Sequence, residues 1–368
     1  MRDAIRRRRV RWPKRALIGW GLALVLAACG TPPPAPPAPE RPAAVRVPAP
    51  RAPPPDAIPG ARGGVAGRNE RVLIYLPEAG DNLPAVATRF LGRADRAWQL
   101  AEANDQRWQI APGTPWIVPL VPGNPLGVAA DGYQTVPVLC YHRFGNGQSK
   151  MIIAAAQFEA QLDWLASNRY TVLRLQDLVG FLAGREALPQ RSVVITIDDG
   201  YESVHRYAYP ALKKRGFQAT LFVYTDFIGA RDGLSWAQLQ EMAESGVIDI
   251  QAHSKSHRNL IERGGAENDT IYRQNMDIEM RQPRAVLERR LAAAGVKVKH
   301  FAFPFGDAND VVLNALLGQD YELAATVTPG GNAFFAHPLM LRRTMIFGDH
   351  SLEDFKARLQ IRKGFAGP

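Results

Sequence analysis

The chain has 368 residues and a formal net charge of +10, long enough for more than one domain and a large core. Residues 1–28 hold eight basic residues and one acid, Asp3, so they supply +7 of that charge and leave the remainder near neutrality. The composition therefore argues against a nucleic-acid partner for the folded part, and two cysteines, Cys29 and Cys140, are too few for a disulfide framework.

The basic stretch ends at Arg15. Ala16 to Ala28, "ALIGWGLALVLAA", follows without a charge. It is too short to span a bilayer comfortably and suits the apolar region of a secretion signal. It runs into "LAAC" at Cys29. Small residues before a single cysteine resemble the lipobox of bacterial lipoproteins. That resemblance implies loss of the signal peptide, residues 1–28, and a lipid on Cys29 that anchors the protein to a membrane. Gly30, where an Asp would favour inner-membrane retention, points to the periplasmic face of the outer membrane.

Residues 29–68 form the next segment, with twelve prolines between positions 32 and 55. Such a composition cannot build a packed core and reads as an extended tether. At ~3.1 Å per residue, its proline-rich stretch 32–55 reaches on the order of 70 Å.

A compact module is expected over residues 69–122. A strand at Val72–Leu76 precedes "GDN"; a helix with Leu83, Val86, Ala87 and Phe90 follows; a second helix carries Trp98, Leu100 and Ala101; a strand at Trp116–Leu120 closes it. This βααβ order, with "GDNLPAVATRFLG", "ANDQ" and "IAPGTPWIVP", resembles the LysM module. The resemblance implies binding to N-acetylglucosamine-containing glycan, peptidoglycan above all.

Residues 133–368 alternate strand and helix patterns. The strand candidates are Val136–Tyr141, Thr171–Leu173, Val193–Ile197, Ala219–Val223, Ile248–Ala252, His300–Phe303, Leu323–Thr326 and Leu339–Ile346. The alternation predicts one α/β domain with a parallel sheet, and eight candidates make a barrel the leading architecture. Cys140, within the apolar "VPVLCYH", reads as a small buried hydrophobe.

Two stretches of this domain carry chemistry. "SVVITIDDGY" is a strand that ends on adjacent carboxylates, Asp198 and Asp199. One Asp is enough to cap the helix expected near Ser203–Arg215, and two adjacent acids repel each other. "IDIQAHSKSHRNL" is a second strand ending in titratable groups, His253 and His257, four residues apart. Two imidazoles and one carboxylate suffice for a divalent metal with open positions for water and substrate. The other carboxylate then remains free as a base for the bound water. A non-haem iron oxygenase would use the same ligand set but leaves the second Asp without a task.

"TIDDG" with "HSKSH" resembles the polysaccharide deacetylases, the NodB-homology domains of carbohydrate esterase family 4. "VPVLCYHRFG", "KKRGFQATLFV" and "FAFPFGDAN" resemble the same family, in its poly-N-acetylglucosamine branch. The resemblance implies a distorted (β/α) barrel and removal of N-acetyl groups from amino-sugar polymers. It implies Asp198 as base, and Asp199, His253 and His257 as ligands of a divalent metal, Zn²⁺ by default. In the family's third motif, R-x-P-Y, this chain has Ala302 for Arg and Phe305 for Tyr. The Phe305 backbone N–H can still serve the oxyanion. The missing Arg is expected to be replaced by Arg343, with Arg342 as the other candidate. The family's late histidine motif is not evident, and His142, at the end of the first strand, is expected as the general acid.

Overall fold

The computed structural model describes residues 59–121, 123–147 and 149–365. The signal peptide, Cys29 and most of the tether lie outside the described residues. No described helix is long and apolar enough to cross a membrane.

The N-terminal module is a three-stranded antiparallel sheet with two helices. Its central strand, Val72–Leu76, alternates exposed and buried residues, so Leu73 and Tyr75 enter the core. The neighbours are Gly64–Arg68 and Trp116–Pro119. The Asn82 side chain caps the helix Leu83–Leu91, with Pro84 in its first turn and Gly92, at φ +80°, ending it in the left-handed conformation. Leu73, Tyr75, Val86, Leu100, Trp116 and Val118 pack the core with the second helix, Ala97–Ala103. The strand Gly64–Arg68 lies within the stretch assigned to the tether, so the order is ββααβ and not βααβ. "GVAGR" is an edge strand with largely exposed side chains, and it carries no apolar alternation to betray it.

In the second domain, parallel strands run in the spatial order Val136–Tyr141, Ser192–Ile197, Ala219–Val223, Ile248–Ala252, His300–Ala302 and Leu323–Ala325. The three strands Val136–Tyr141, Ser192–Ile197 and Ala219–Val223 are buried along their whole length, which accounts for their apolar, β-branched sequences. Successive residues still alternate. Val193, Ile195 and Ile197 pack with Leu212, Leu239 and Leu162 in the larger cluster under the helices. Val194 packs with Val136, Val138, Phe222, Ala302, Ala325 and Leu341 in a second cluster enclosed by the sheet.

The sheet curls toward closure through its last segment. Leu341 bridges Ala325 on one end strand, and Thr344–Met345 pair with Leu139 and Cys140 on the other. The expected continuous strand Leu339–Ile346 is thus broken: Pro338–Met340 is a 3₁₀ turn, because Pro338 fixes a helical φ and offers no N–H to a ladder. Thr171–Leu173 pairs with Ser192–Val194 alone, so it extends one strand without acting as a full stave. After the Asp pair, Val204–Ala208 is a π-helical turn leading into the α-helix Tyr209–Arg215; Pro210 withholds the N–H that an α-helical ladder needs there.

Candidate active site

The site lies at the C-terminal ends of the parallel strands, where strand alternation carries polar residues inward. Val194 and Thr196 lie two residues apart on one face, and Asp198 continues that row. Cys140 continues the row of Val136 and Val138, and Arg343 that of Leu341. Asp199 would face the other way in a continuing strand. Its φ of +75°, followed by +92° at Gly200, turns the chain out of the pleat. Both carboxylates then approach the same imidazole: His253 Nε2 lies 3.9 Å from Asp198 Oδ2 and 3.5 Å from Asp199 Oδ1. A side chain at position 200 would strike Val223 at 2.9 Å, so glycine is needed both for space and for its φ. Neither carboxylate caps a helix; the N-cap residue of the following turn, Ser203, makes no side-chain cap.

Asp199, His253 and His257 place their ligating atoms within 4.8 Å of one another. His253 Nδ1–H donates to the Ala302 carbonyl at 2.7 Å, which leaves the Nε2 lone pair directed at the carboxylates. His257 Nε2 is 3.2 Å from Asp199 Oδ1. These contacts fall outside hydrogen-bonding geometry, and Asp199 Oδ1 is a buried oxygen without a donor. Burial opposes the charge on Asp199, but the two histidines outweigh it and hold the carboxyl far below its ordinary range. Burial also disfavours a charged His253, yet Asp198 and Asp199 raise its pKa. An orphaned carboxylate oxygen, two convergent imidazoles and a local demand for positive charge fit a divalent cation.

Asp198 is held differently. Arg343, fully buried, reaches it from the closing segment and donates from Nη1 to Oδ1 at 2.6 Å and from Nη2 to Oδ2 at 2.7 Å. The same guanidinium donates from Nε to the Thr326 carbonyl at 2.8 Å and from Nη1 to the Thr196 hydroxyl at 3.3 Å. Burial pushes the Asp198 pKa up, but Arg343, with help from His253, more than offsets it and leaves the carboxyl below its ordinary value. Arg342, the other candidate, donates to the Pro329 carbonyl and is not in the site. Ala302, where the family pattern has Arg, lies in the enclosed cluster and lends its carbonyl to His253.

His142, half-buried, has a ring nitrogen within 4.8 Å of a carboxylate oxygen of Asp198 and of the Cys140 sulfur. Burial lowers its pKa against the pull of the two aspartates, which favours the neutral imidazole. Phe305 has φ +61°, and its backbone N–H meets no acceptor among the described residues. The residue is 60% exposed, and its ring packs edge-on against His257 at 4.9 Å, forming an apolar wall beside the site.

Two contributors escaped the sequence reading. The Cys140 thiol donates to Asp198 Oδ2 at 3.4 Å, and burial raises its pKa well above the ordinary value, so it acts as a neutral donor. Its place two residues before His142, in the inward row of a strand, was the available signal. Glu279, in the helix Asp269–Arg290, accepts from the N–H groups of Lys255 and Ser256, both at 2.9 Å, and from the Ser256 hydroxyl at 2.7 Å. It thereby fixes the loop that carries His257, itself at φ +59°. Glu279 lies on a helical stripe with Tyr272, Met276, Met280 and Leu287, and an acid on an apolar stripe marks a polar task.

Comparison with known proteins agrees with this geometry. Residues 185–324 match the family model described as polysaccharide deacetylase. His142 and Arg343 lie outside that stretch. The chain is 29% identical over 228 residues to YxkH of Bacillus subtilis (strain 168), covering 62% of this chain and 77% of that one. It is 26% identical over 199 residues to the poly-beta-1,6-N-acetyl-D-glucosamine N-deacetylase of Staphylococcus aureus (strain MRSA252), covering 51% and 67%. The solved structure of IcaB from Ammonifex degensii superposes with a TM-score of 0.55 at 28% identity, over 62% of this chain and 98% of that one. With Asp198, Asp199, His253 and His257 converging within the matched stretch, residues 185–324 are similar to a polysaccharide deacetylase domain, which makes the chain an enzyme.

Proposed function

We propose that this protein is a metal-dependent hydrolase that removes N-acetyl groups from an N-acetylglucosamine-containing polysaccharide of the cell envelope, peptidoglycan or poly-N-acetylglucosamine. The observation that carries the reading is the division of labour between adjacent acids. Asp199 Oδ1 is buried, has no donor and faces two histidines, while Asp198 is clamped by Arg343.

Asp199, His253 and His257 would hold the ion, Zn²⁺ by default because hydrolysis needs no redox change. Bound there, it supplies a Lewis acid and brings the pKa of a coordinated water toward ~7. The rest is the work of side chains. Asp198, ionised by its pairing with Arg343, takes the proton from the attacking water as the new bond forms from oxygen to the acetyl carbon. The Phe305 N–H faces the resulting oxyanion. His142, with a ring nitrogen within 4.8 Å of Asp198, takes up the proton that Asp198 removed from the water and gives it to the leaving nitrogen as the carbon–nitrogen bond breaks. Acetate and a free glucosamine amine leave.

The N-terminal module, read as a LysM-like domain, holds the enzyme to peptidoglycan. The lipobox-like "LAAC" anchors it through Cys29 to the periplasmic face of the outer membrane, on a proline-rich tether. Mass spectrometry of muropeptides and of N-acetylglucosamine oligomers after incubation with Zn²⁺-loaded protein tests the enzymatic reading. A loss of 42 Da per residue (one acetyl exchanged for hydrogen), abolished by a chelator, is expected. No mass change on either glycan class overturns it.

A further inference from the structure

The N-terminal module is fastened to the barrel at the end opposite the catalytic pocket. Arg169 Nη1 donates to the Gln106 carbonyl at 2.7 Å, and the Gln190 N–H donates to Glu102 Oε1 at 2.7 Å. Arg169 lies two residues before the strand start at Thr171, and Gln190 two residues before the strand start at Ser192, so both anchor points lie at the N-terminal ends of strands. Beside these contacts is an open cleft of about 780 Å³. The module lines it with Arg107, Trp108 and Gln109, and the barrel with Arg169, Tyr170 and Phe217.

Trp108 is the informative residue. It is 40% exposed and makes no ring–ring or cation–π contact among the described residues. It also lines a second groove of about 410 Å³ on the module itself, together with Asp81, Asn82, Pro84 and Ile110. One exposed indole thus joins the module's groove to the junction cleft, with Gln109 shared as well. Flat aromatic faces and forked donors suit pyranose rings and their substituents. No carboxylate lines the junction cleft, while two guanidinium groups do. Arg107 spends Nε on the Asn104 carbonyl and Nη2 on the Asn104 side-chain oxygen, and Arg169 spends one donor on the Gln106 carbonyl, but each guanidinium has five N–H groups.

We infer that the barrel completes the module's glycan site: the junction cleft binds a stretch of N-acetylated glycan that bears carboxylates, as peptidoglycan does on its peptide stems and on lactyl ethers that carry no stem. This rests on the reading of the module as glycan-binding. The charge makes the hold one-directional. Deacetylation turns neutral acetamides into ammonium groups, which the two arginines repel. The cleft therefore grips unprocessed, acidic glycan and releases the product, at the far end of the barrel from the catalytic pocket.

The test uses the full-length protein and insoluble sacculi, with chitin as an uncharged N-acetylglucosamine polymer. Retention is measured by pull-down in low and high salt. The wild type should be retained on sacculi at least tenfold more than Arg169→Gln, a barrel-side change, and more than Trp108→Ala. The Arg169→Gln deficit should vanish in high salt and on chitin. Because Arg169 adopts φ +58°, Arg169→Asn, which tolerates that conformation, serves as a second variant. Equal retention of the arginine variants and the wild type on sacculi overturns the inference. Equal deficits on sacculi and chitin overturn its charge preference. Deacetylation of a soluble oligomer by the wild type is assayed separately. Its absence would refute the proposed reaction while leaving the retention result intact, since binding needs no turnover.

Discussion

Replacing Arg343 by Met probes the arrangement most directly, because the guanidinium is the fully buried partner of the proposed base. Met preserves most of the volume and removes two charge-assisted hydrogen bonds of 2.6 and 2.7 Å. A neighbouring arginine lowers an aspartate pKa by about 1–3 units, each worth about 1.4 kcal/mol. Burial, the largest influence on Asp198, acts in the opposite direction and would then prevail. The acidic limb of the kcat/KM profile should therefore move up by about one unit or more, with activity recovering as the pH is raised. Stability follows the same sign. The Asp198 pKa is depressed in the folded protein, so its contribution is present above the unfolded-state value and lost as pH falls through the folded one. In the variant that contribution disappears at neutral pH, and an uncompensated buried carboxylate costs about 3 kcal/mol or more. A Tm drop of roughly 6 °C or more is expected at pH 7, shrinking toward pH 4 as the carboxyl takes up its proton. Arg343→Lys, which keeps the charge but not the fork, should fall between the two. The assays are a pH series of deacetylation rates, metal analysis of the purified protein, and thermal unfolding. An unmoved acidic limb in a folded, metal-loaded variant would refute the idea that Arg343 keeps Asp198 ionised.

The other outcomes can be checked together. Asp199→Ala should lose metal and activity at once, whereas Asp198→Asn should keep the metal and lose turnover; equal metal loss in both would mean the acids share one role. Glu279→Ala should weaken metal affinity by about 10–100-fold without touching a ligand, since it frees the loop of His257; unchanged affinity by competition with a chelator would remove Glu279 from the site. Cys29→Ala should release the protein into the soluble fraction, and a variant that stays with the membrane would dismiss the lipobox reading. Cys140→Ala removes a thiol donor from Asp198 and should raise the acidic limb by less than Arg343→Met does, because the lost donor is neutral.

The two aspartates and two histidines proposed to bear the chemistry were visible in the sequence because each pair follows a strong strand signal. "VVITI" and "IDIQA" are apolar enough to fix two strands, and the chain order then places "DDG" and "HSKSH" at the same end of a parallel sheet. Spacing, however, cannot divide roles between neighbours. That Asp198 faces Arg343 while Asp199 faces the histidines follows from a left-handed turn at Asp199 and Gly200, which strand alternation alone would not produce. Arg343 was legible as one of two candidates; the tertiary structure separated it from Arg342 because only one register of the closing segment points inward, and adjacent residues of a strand face opposite ways. Nothing local marked Gly64–Arg68 as a strand, since an exposed edge has no buried face to impress on its sequence. The junction cleft is invisible for a related reason: Trp108 and Tyr170 lie in segments whose own patterns are unremarkable, and only the packing of module against barrel brings them to one cavity. Sequence thus set the strands and the reactive groups at their ends, through periodicity and local chemistry. Closure of the barrel set which group meets which, because that depends on contacts between residues as far apart as Asp198 and Arg343.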